Sequence, residues 1–418
     1  MIRILHTADW HIGQTFFGHD RTNEHRHFFE WLLSTIKKKH IDVLLVSGDV
    51  FDVSNPSAAA QHELYDFIRT ASHDFPRLQM VFIAGNHDSA ARLEAPVPLM
   101  EEMNVVVHGV VNKRDGAICY DELTVPLRGD SGEVEAICFA VPYLRQGDYP
   151  VDPSDENSYA EGVKHFYRTM LEQEADACKG LPIVAMGHMQ VTGSEIAEHD
   201  YSERTVIGGL ECVAPSVFAD ERIVYTALGH IHKAQRVSGM EKVRYAGSPL
   251  PMSFAEKFYN HGAVMVTIDG TATTIEQLKY VPLIPMMTIP PFGQVGPDAA
   301  LAMIDLLPDG NKEEAQTFPY LEVKVLLDEP DPMLPQLISE HLEGKEARLA
   351  RVVSSFKGAD ADEAGKESGE SMSLKDMDPT KIFKTVFQNL FGSEASDEML
   401  GLFDEACQSV IDDLDKEE

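Results

Sequence analysis

The chain is 418 residues long, 44% hydrophobic and 25% charged. This is the composition of a globular protein rather than a disordered or fibrous one, and the length exceeds what one core organises, so two or three domains are predicted. The net charge of −33 speaks against the basic footprint of an ordinary nucleic-acid binder.

The five cysteines, Cys119, Cys138, Cys178, Cys212 and Cys407, show no CxxC spacing, which predicts buried thiols in a reducing compartment rather than disulfides or zinc. Met1–His6 run straight into polar Thr7-Ala8-Asp9, which makes no signal peptide. No apolar run is long enough to span a membrane, so a cytosolic protein without membrane contact is expected. The charge is uneven. Residues 358–418 hold 17 Asp and Glu against 5 Lys and Arg, or −12, leaving −21 for the rest. Carboxylates that hold cations would reverse the electrostatics locally.

Residues 2–9 read as a strand that stops at Asp9-Trp10-His11. A helix near 24–38 follows, with Phe28, Phe29, Leu32, Leu33 and Ile36 on one face. His19, His25 and His27 lie around its start, where a solvated or half-buried helix face is the expected environment. Residues 42–49 are a second strand. The run Val43-Leu44-Leu45-Val46 is continuous rather than alternating, as in a strand covered on both faces, and it ends in Ser47-Gly48-Asp49. A helix near 57–72 leads to the strand Met80–Ala84 and the loop Gly85-Asn86-His87-Asp88. Strand, helix, strand, helix, strand is the signature of a layered α/β domain.

The middle of the chain is richer in strands, predicted at 105–108, 136–141, 183–186, 223–228, 243–246 and 263–268. Two of these end in Gly187-His188 and Gly229-His230-Ile231-His232. The stretch 189–220 has little periodicity and reads as a long loop or lid. Pro282, Pro285, Pro290 and Pro291 mark a boundary. A small α/β unit follows, with helices near 298–307 and 332–343 and strands near 320–327 and 347–356.

Residues 358–377 almost lack bulky apolar residues and read as a flexible acidic linker. Two amphipathic helices are predicted in 378–418, opened by Asp378-Pro379 and interrupted at Gly392. So short a pair cannot bury two apolar faces well by itself, and the linker before it favours docking to a partner's helices.

The polar residues at the strand ends form one set: Asp9-x-His11, Asp49, Asn86-His87, His188 and His230-x-His232. Residues i and i+2 at a strand end share a face and can converge on one point. The set exceeds what one ion of ordinary geometry takes, and it suits two ions sharing a carboxylate. Carboxylate, amide and imidazole without thiolate suit manganese, iron or zinc. Two ions about 3.5–4 Å apart form a clamp for in-line attack at phosphorus.

Asp-x-His, Gly-Asp-Val-Phe-Asp, Gly-Asn-His-Asp, Gly-His and Gly-His-x-His, in this order over residues 1–280, resemble the calcineurin-like metallophosphoesterases. Within that superfamily, DWHIGQ (9–14), GDVFDVSNPS (48–57) and GNHDS (85–89) are similar to the SbcD family of bacterial nuclease subunits. The resemblance implies an α/β fold: a four-layer β-sandwich flanked by helices at 1–282, a capping domain at 283–357, the linker at 358–377 and a helical pair for partner docking at 378–418. It implies two Mn2+ ions, one on Asp9, His11, Asp49 and His232, the other on Asp49, Asn86, His188 and His230. His87 would face the scissile phosphate as a catalytic residue, with Asp88 orienting its ring. Archaeal and eukaryotic relatives carry a second catalytic His where this chain has Asp52, which leaves Asp52 as a candidate for an acid–base role.

The implied activity is ATP-dependent DNA repair and recombination, with 3′–5′ double-strand exonuclease and single-strand or hairpin endonuclease action. The implied partners are DNA and an SbcC-type ATPase, in a heterotetramer containing a homodimer of this chain. Two other readings stand beside it: a phosphoesterase acting on a small phosphodiester or a phosphoprotein, which shares all the ligands but does not need the chain beyond 282, and a non-catalytic scaffold, which predicts lost ligands.

Overall fold

The computed structural model describes residues 1–100, 103–150, 158–195, 212–270 and 272–356, together with residues 399, 400 and 403. The expected linker at 358–377 and nearly all of the expected helical pair lie outside these residues. So does the middle of the expected long loop at 189–220. The chain forms two compact units, Met1–Ile284 and a second from Pro285 onward.

The first unit is built on two six-stranded mixed sheets. In the first sheet the strands run in the order Ala272–Lys279, Gly262–Asp269, Ile2–Thr7, Val43–Ser47, Gln79–Ile83, Val105–His108. The last four of these are mutually parallel. In the second the order is Gln235–Val237, Met240–Tyr245, Ile223–Gly229, Ile183–His188, Val134–Ala140, Thr124–Arg128, with a parallel centre and antiparallel edges. Strands that are apolar at every position are buried on both faces. Accordingly Val43, Leu45, Val81 and Ile83 of one sheet share a core with Cys138, Val184, Met186 and Ala227 of the other.

Each sheet's outer face packs helices. Helix α1 (Thr22–Lys39) and helix α2 (Ala58–Asp74) bury Phe28, Phe29, Leu32, Leu64 and Phe67 against Leu44, Met80 and Phe82. Ser57 caps α2 by accepting from the Ala60 N–H, the usual cure for the unpaired donors of a first turn. On the second sheet, helix α3 (Ser158–Gln173) buries Val163, Phe166, Tyr167 and Met170. All these aromatic and aliphatic side chains are essentially out of water, each stabilising the fold by about 1.5–3 kcal/mol.

Parallel strands place their carboxyl ends together, and in open α/β sheets the crevice beyond those ends is where ligands bind. Here the carboxyl ends of Ile2–Thr7, Val43–Ser47 and Gln79–Ile83 come together with those of Ile183–His188 and Ile223–Gly229.

The second unit is a three-stranded sheet, Met286–Ile289, Tyr320–Leu327 and Arg348–Phe356, parallel throughout. Its core joins Ile289, Leu321, Val323 and Val325 to Ala300 and Ile304 of the helix Pro297–Asp305 and to Leu334 and Ile338 of the helix Leu334–His341. Among the described residues no helix is long and apolar enough to cross a membrane. Cys119, Cys138 and Cys178 are buried thiols and Cys212 is half-buried.

Candidate metal centre

The first two ligand loops are laced together just past their strands. The N–H groups of Asp9, His11 and Ile12 donate to the carbonyls of Gly48, Asp49 and Val50 at 3.0, 3.0 and 2.9 Å. The turn is tight enough that Asp9, His11 and Asp49 all take left-handed backbone angles, with φ of 54°, 47° and 48°. Side chains rarely adopt that region, and such strained residues cluster where function holds the chain in place. His230 joins them at φ 99°. Its N–H donates to Asp9 Oδ1 at 2.9 Å, tying the loops of the two sheets together. Gly85 is required for closeness: a Cβ there would overlap the Asp49 carboxylate.

The donor atoms converge on two points. Asn86 Oδ1 lies 2.9 Å from His188 Nε2 and 3.0 Å from His230 Nδ1, and Asp49 Oδ2 lies 3.4 Å from His188 Nε2. Atoms bound at right angles around one ion at about 2.1 Å sit about 3.0 Å apart, so this spacing fits four ligands of one cation. On its other side Asp49 Oδ2 is 3.7 Å from His11 Nε2. Asp9, His11 and Asp49 each bring a donor atom within 4.8 Å of the others, and the rings of His11 and His232 meet edge to face at 5.3 Å. Asp49 therefore stands between both groups.

Two buried atoms here, Asp9 Oδ2 and His11 Nε2, have no hydrogen-bond partner. Buried polar atoms are normally satisfied, and these point to a cation as the missing partner. The donor set, oxygen and imidazole without sulfur, matches a hard or borderline divalent ion.

The protein electrostatics say the same. Burial pushes the Asp49 carboxyl up, but the imidazoles of His188, His11 and His87 outweigh it and hold Asp49 well below the usual carboxylate range. Burial depresses His188, yet Asp49 and Asp9 raise it to about 9. Burial raises the Asp9 carboxyl against the pull of His188. Burial, followed by the proximity of His188, drops His230 to about 3. The pocket demands positive charge between its carboxylates, and a proton on His188 meets only part of that demand.

His87 stands at the edge of the cluster. Its backbone N–H donates to Asp49 Oδ1 at 2.9 Å, and its Nδ1 lies 2.8 Å from the carbonyl of Asp52. A carbonyl only accepts, so Nδ1 carries the proton. Asp88, expected to orient this ring, is placed with its carboxylate accepting from the backbone N–H groups of Gly85, Phe51 and Val50 at 2.8, 2.9 and 3.1 Å. Asp88 thereby fastens the second loop to the third. Burial, then the charge of Asp49, push its carboxyl up to about 6. The carboxylate of Asp52 lies 3.3 Å from His11 Nδ1, so the structure sets Asp52 behind a histidine as well as beside His87. His25 is a core histidine whose Nε2 donates to the Trp10 carbonyl at 2.8 Å. His27 meets the Tyr280 hydroxyl at 2.8 Å, and His19 belongs to a short hairpin strand.

Two further groups complete the cluster. Ser47 offers its carbonyl to His188 Nδ1 at 2.9 Å. Glu256, wholly buried, offers Oε1 to His232 Nδ1 at 2.9 Å. Glu256 lies 24 residues from its histidine, on the short turn Phe254–Glu256, and no spacing in the sequence announces it.

Residues 2–234 match the calcineurin-like phosphoesterase family, and residues 282–390 match a domain described as the type 5 capsule protein repressor C-terminal domain. The chain is 35% identical over 359 residues to the SbcD subunit of the SbcCD nuclease of Rhodobacter capsulatus, covering 84% of this chain and 86% of that one. It is 33% identical over 302 residues to the corresponding SbcCD nuclease subunit of Escherichia coli K12, covering 69% and 70%. The Bacillus subtilis counterpart is 33% identical over 273 residues, covering 63% and 66%.

Proposed function

This chain belongs to the calcineurin-like phosphoesterases and, within them, to the SbcD nuclease subunits, and on that footing we propose that its cluster hydrolyses DNA phosphodiesters with two divalent ions. The observation that carries the reading is Asp49, whose carboxylate stands between two convergent donor sets. Asp9, His11, Asp49 and His232 hold one ion, and Asp49, Asn86, His188 and His230 the other. Mn2+ is the ion the family resemblance implies, and the oxygen and imidazole set suits it as it suits iron or zinc. Such a pair supplies Lewis acidity, neutralising phosphate charge and making water nucleophilic near neutral pH.

The protein's own contribution is orientation. His87, with Nδ1–H fixed on the Asp52 carbonyl, meets the scissile phosphate through Nε2; in its imidazolium form it carries a second proton there, which steadies the leaving 3′ oxygen or is transferred to it. Asp88 acts through loop geometry, and Asp52 through His87 and His11. The first unit is the four-layer phosphoesterase sandwich and the 283–357 segment its capping domain. The chain acts as a dimer with an SbcC-type ATPase, whose coiled-coil base the 378–418 segment grips. Its reactions are 3′–5′ exonuclease action on duplex ends and endonuclease action on hairpins and single strands. No ligand position is lost, which disfavours a scaffold role.

The test uses hairpin DNA, a nitrophenyl phosphodiester, Mn2+ and the co-purified ATPase partner. The expected result is hairpin cleavage that His87→Ala abolishes while two metal equivalents remain by elemental analysis. Loss of metal in His87→Ala would make His87 a ligand. Hydrolysis of the nitrophenyl ester alone, with no DNA cleavage even beside the partner, would refute the nuclease reading.

A further inference from the structure

A fully buried glutamate is costly: taking a carboxylate out of water costs several kcal/mol unless its partners compensate. Glu256 sits at 0% exposure on a single turn whose start is fixed by Ser253 accepting from the Ala255 N–H. One oxygen accepts the Met252 N–H at 2.8 Å. The other meets His232 Nδ1 at 2.9 Å. Arg21, buried behind the same strap, donates to the Pro251 carbonyl at 2.8 Å. The segment 251–256 is therefore held from both sides, and what it presents to the cluster is a carboxylate behind a histidine.

The other ring nitrogens are backed unequally. His188 Nδ1 faces the neutral Ser47 carbonyl at 2.9 Å. His11 Nδ1 faces the Asp52 carboxylate at 3.3 Å, with the Asp52 side chain 28% exposed. Both imidazoles on the Asp9 side of Asp49 thus have an anion behind them, and the one behind His232 is shielded from water. A carboxylate behind a ligating imidazole fixes its tautomer and raises its basicity, and low dielectric strengthens the effect.

We propose that Glu256 is a positioning residue that holds His232 as the Nδ1–H tautomer, turns its Nε2 lone pair toward the ion shared with Asp9, His11 and Asp49, and so makes that site the tighter of the two. The inference rests on the two-ion reading above and adds an order of filling to it. Glu256 does not touch the phosphate.

The experiment is calorimetric titration of the EDTA-stripped full chain with Mn2+, for wild type, Glu256→Gln and His188→Gln, beside thermal melts of the metal-free proteins. Wild type should bind in two steps. Glu256→Gln, isosteric but uncharged, should weaken the tighter step about 10–100-fold and leave the weaker step in place. His188→Gln should remove the weaker step.

Wild-type affinities in both steps for a folded Glu256→Gln would overturn the proposal, as would a loss confined to the weaker step. A metal-free melting point that falls with no change in either affinity would make Glu256 merely structural. If wild type takes up no metal, the two-ion reading itself fails, which separates the two failures. A second measurement needs no variant of Glu256: 15N imidazole shifts of the zinc-loaded chain, with His232 assigned from His232→Gln, should show Nδ1 protonated and Nε2 bound. The opposite tautomer would overturn the assignment.

Discussion

Arg21 should be the residue whose loss propagates furthest into the site without touching it. It is 1% exposed and Glu24 is 0% exposed. Its Nε and one terminal nitrogen form a bidentate pair with the Glu24 carboxylate at 2.9 and 3.0 Å. The remaining nitrogen donates to Gln14 Oε1 at 2.7 Å and to the Pro251 carbonyl at 2.8 Å. Arg21→Met keeps an aliphatic stem but removes every side-chain donor, together with the guanidinium that lies over the Phe16 ring at 5.1 Å.

Glu24 is then a buried charge stripped of its guanidinium, a situation that costs about 3–5 kcal/mol. The stranded Pro251 carbonyl adds about 1–3 kcal/mol. Glu24→Gln in the same background neutralises the stranded carboxylate, so Arg21→Met/Glu24→Gln should regain about 2–3 kcal/mol relative to Arg21→Met alone. The assay is urea unfolding in EDTA followed by tryptophan fluorescence. The chain's two tryptophans, Trp10 and Trp31, both lie in the first unit, so the signal reports the unfolding of that unit. Additive effects, with a coupling below about 0.5 kcal/mol, would show that the pair is not a compensated buried ion pair and refute the reasoning.

Three other outcomes follow from the same geometry. Gly85→Ala forces a methyl group into the Asp49 carboxylate, so it should destabilise the fold by about 1–3 kcal/mol and abolish metal binding; a variant with both ions and wild-type stability would contradict the close approach. Asp9→Asn keeps an oxygen for the His230 N–H and removes a carboxylate that burial disfavours; the metal-free variant should be more stable than wild type by about 1 kcal/mol in urea while binding less Mn2+, and lower stability in EDTA would count against it. His25 is pushed down to about 4 by burial and by the Arg21 charge. The unfolded chain therefore binds the extra proton first, and its contribution to stability is complete above pH ~6.5 and is lost as pH falls toward 4. Urea unfolding of the EDTA-treated chain at pH 7.5 and 5 should show about 2 kcal/mol of loss from this group, which His25→Gln removes; an identical pH slope in the variant would place the titration elsewhere.

What a sequence makes legible is whatever a single strand announces. Val43–Ser47 and Gln79–Ile83 are apolar at nearly every position and stop abruptly at polar residues, so both the strands and the ligands at their ends are visible. The pairing is not. Ile2–Thr7 pairs with Gly262–Asp269, a neighbour some 260 residues away, and periodicity carries no information about such partners. The strand Ala272–Lys279 is hidden because it is an edge strand, largely exposed, where an alternating polar pattern looks like loop. Thr124–Arg128 is hidden because it contains Pro126, which an edge tolerates and a central strand does not. Helix α3 has buried residues at helical spacing, but Gly162 interrupts it; that glycine makes room for the Tyr149 ring. In the site, the ligand types are legible, while Glu256 behind His232 and the Asp52 carbonyl behind His87 are not. Both depend on where a distant loop is pinned, which only the packing decides.

The acidic balance of the chain, which argued against a nucleic-acid enzyme, is what the site requires. Asp9, Asp49, Asp52, Asp88 and Glu256 surround a few imidazoles, and four of the five carboxylates are buried. A phosphodiester cannot approach that cluster unless cations come first, because bound ions are the largest local charges and invert the field around them. The backbone makes the same demand. Asp9, His11, Asp49 and His230 all sit at positive φ, each at a cost of about 1–3 kcal/mol, and the orphaned Asp9 and His11 atoms add to it. A site so costly without ligand gains most from what binds it, and a ligand that binds only the folded state stabilises that state in proportion to the logarithm of its concentration over Kd. Metal is thus coupled to the stability of the first unit and not only to its chemistry: adding Mn2+ to the stripped chain should raise the unfolding midpoint seen by Trp10 and Trp31.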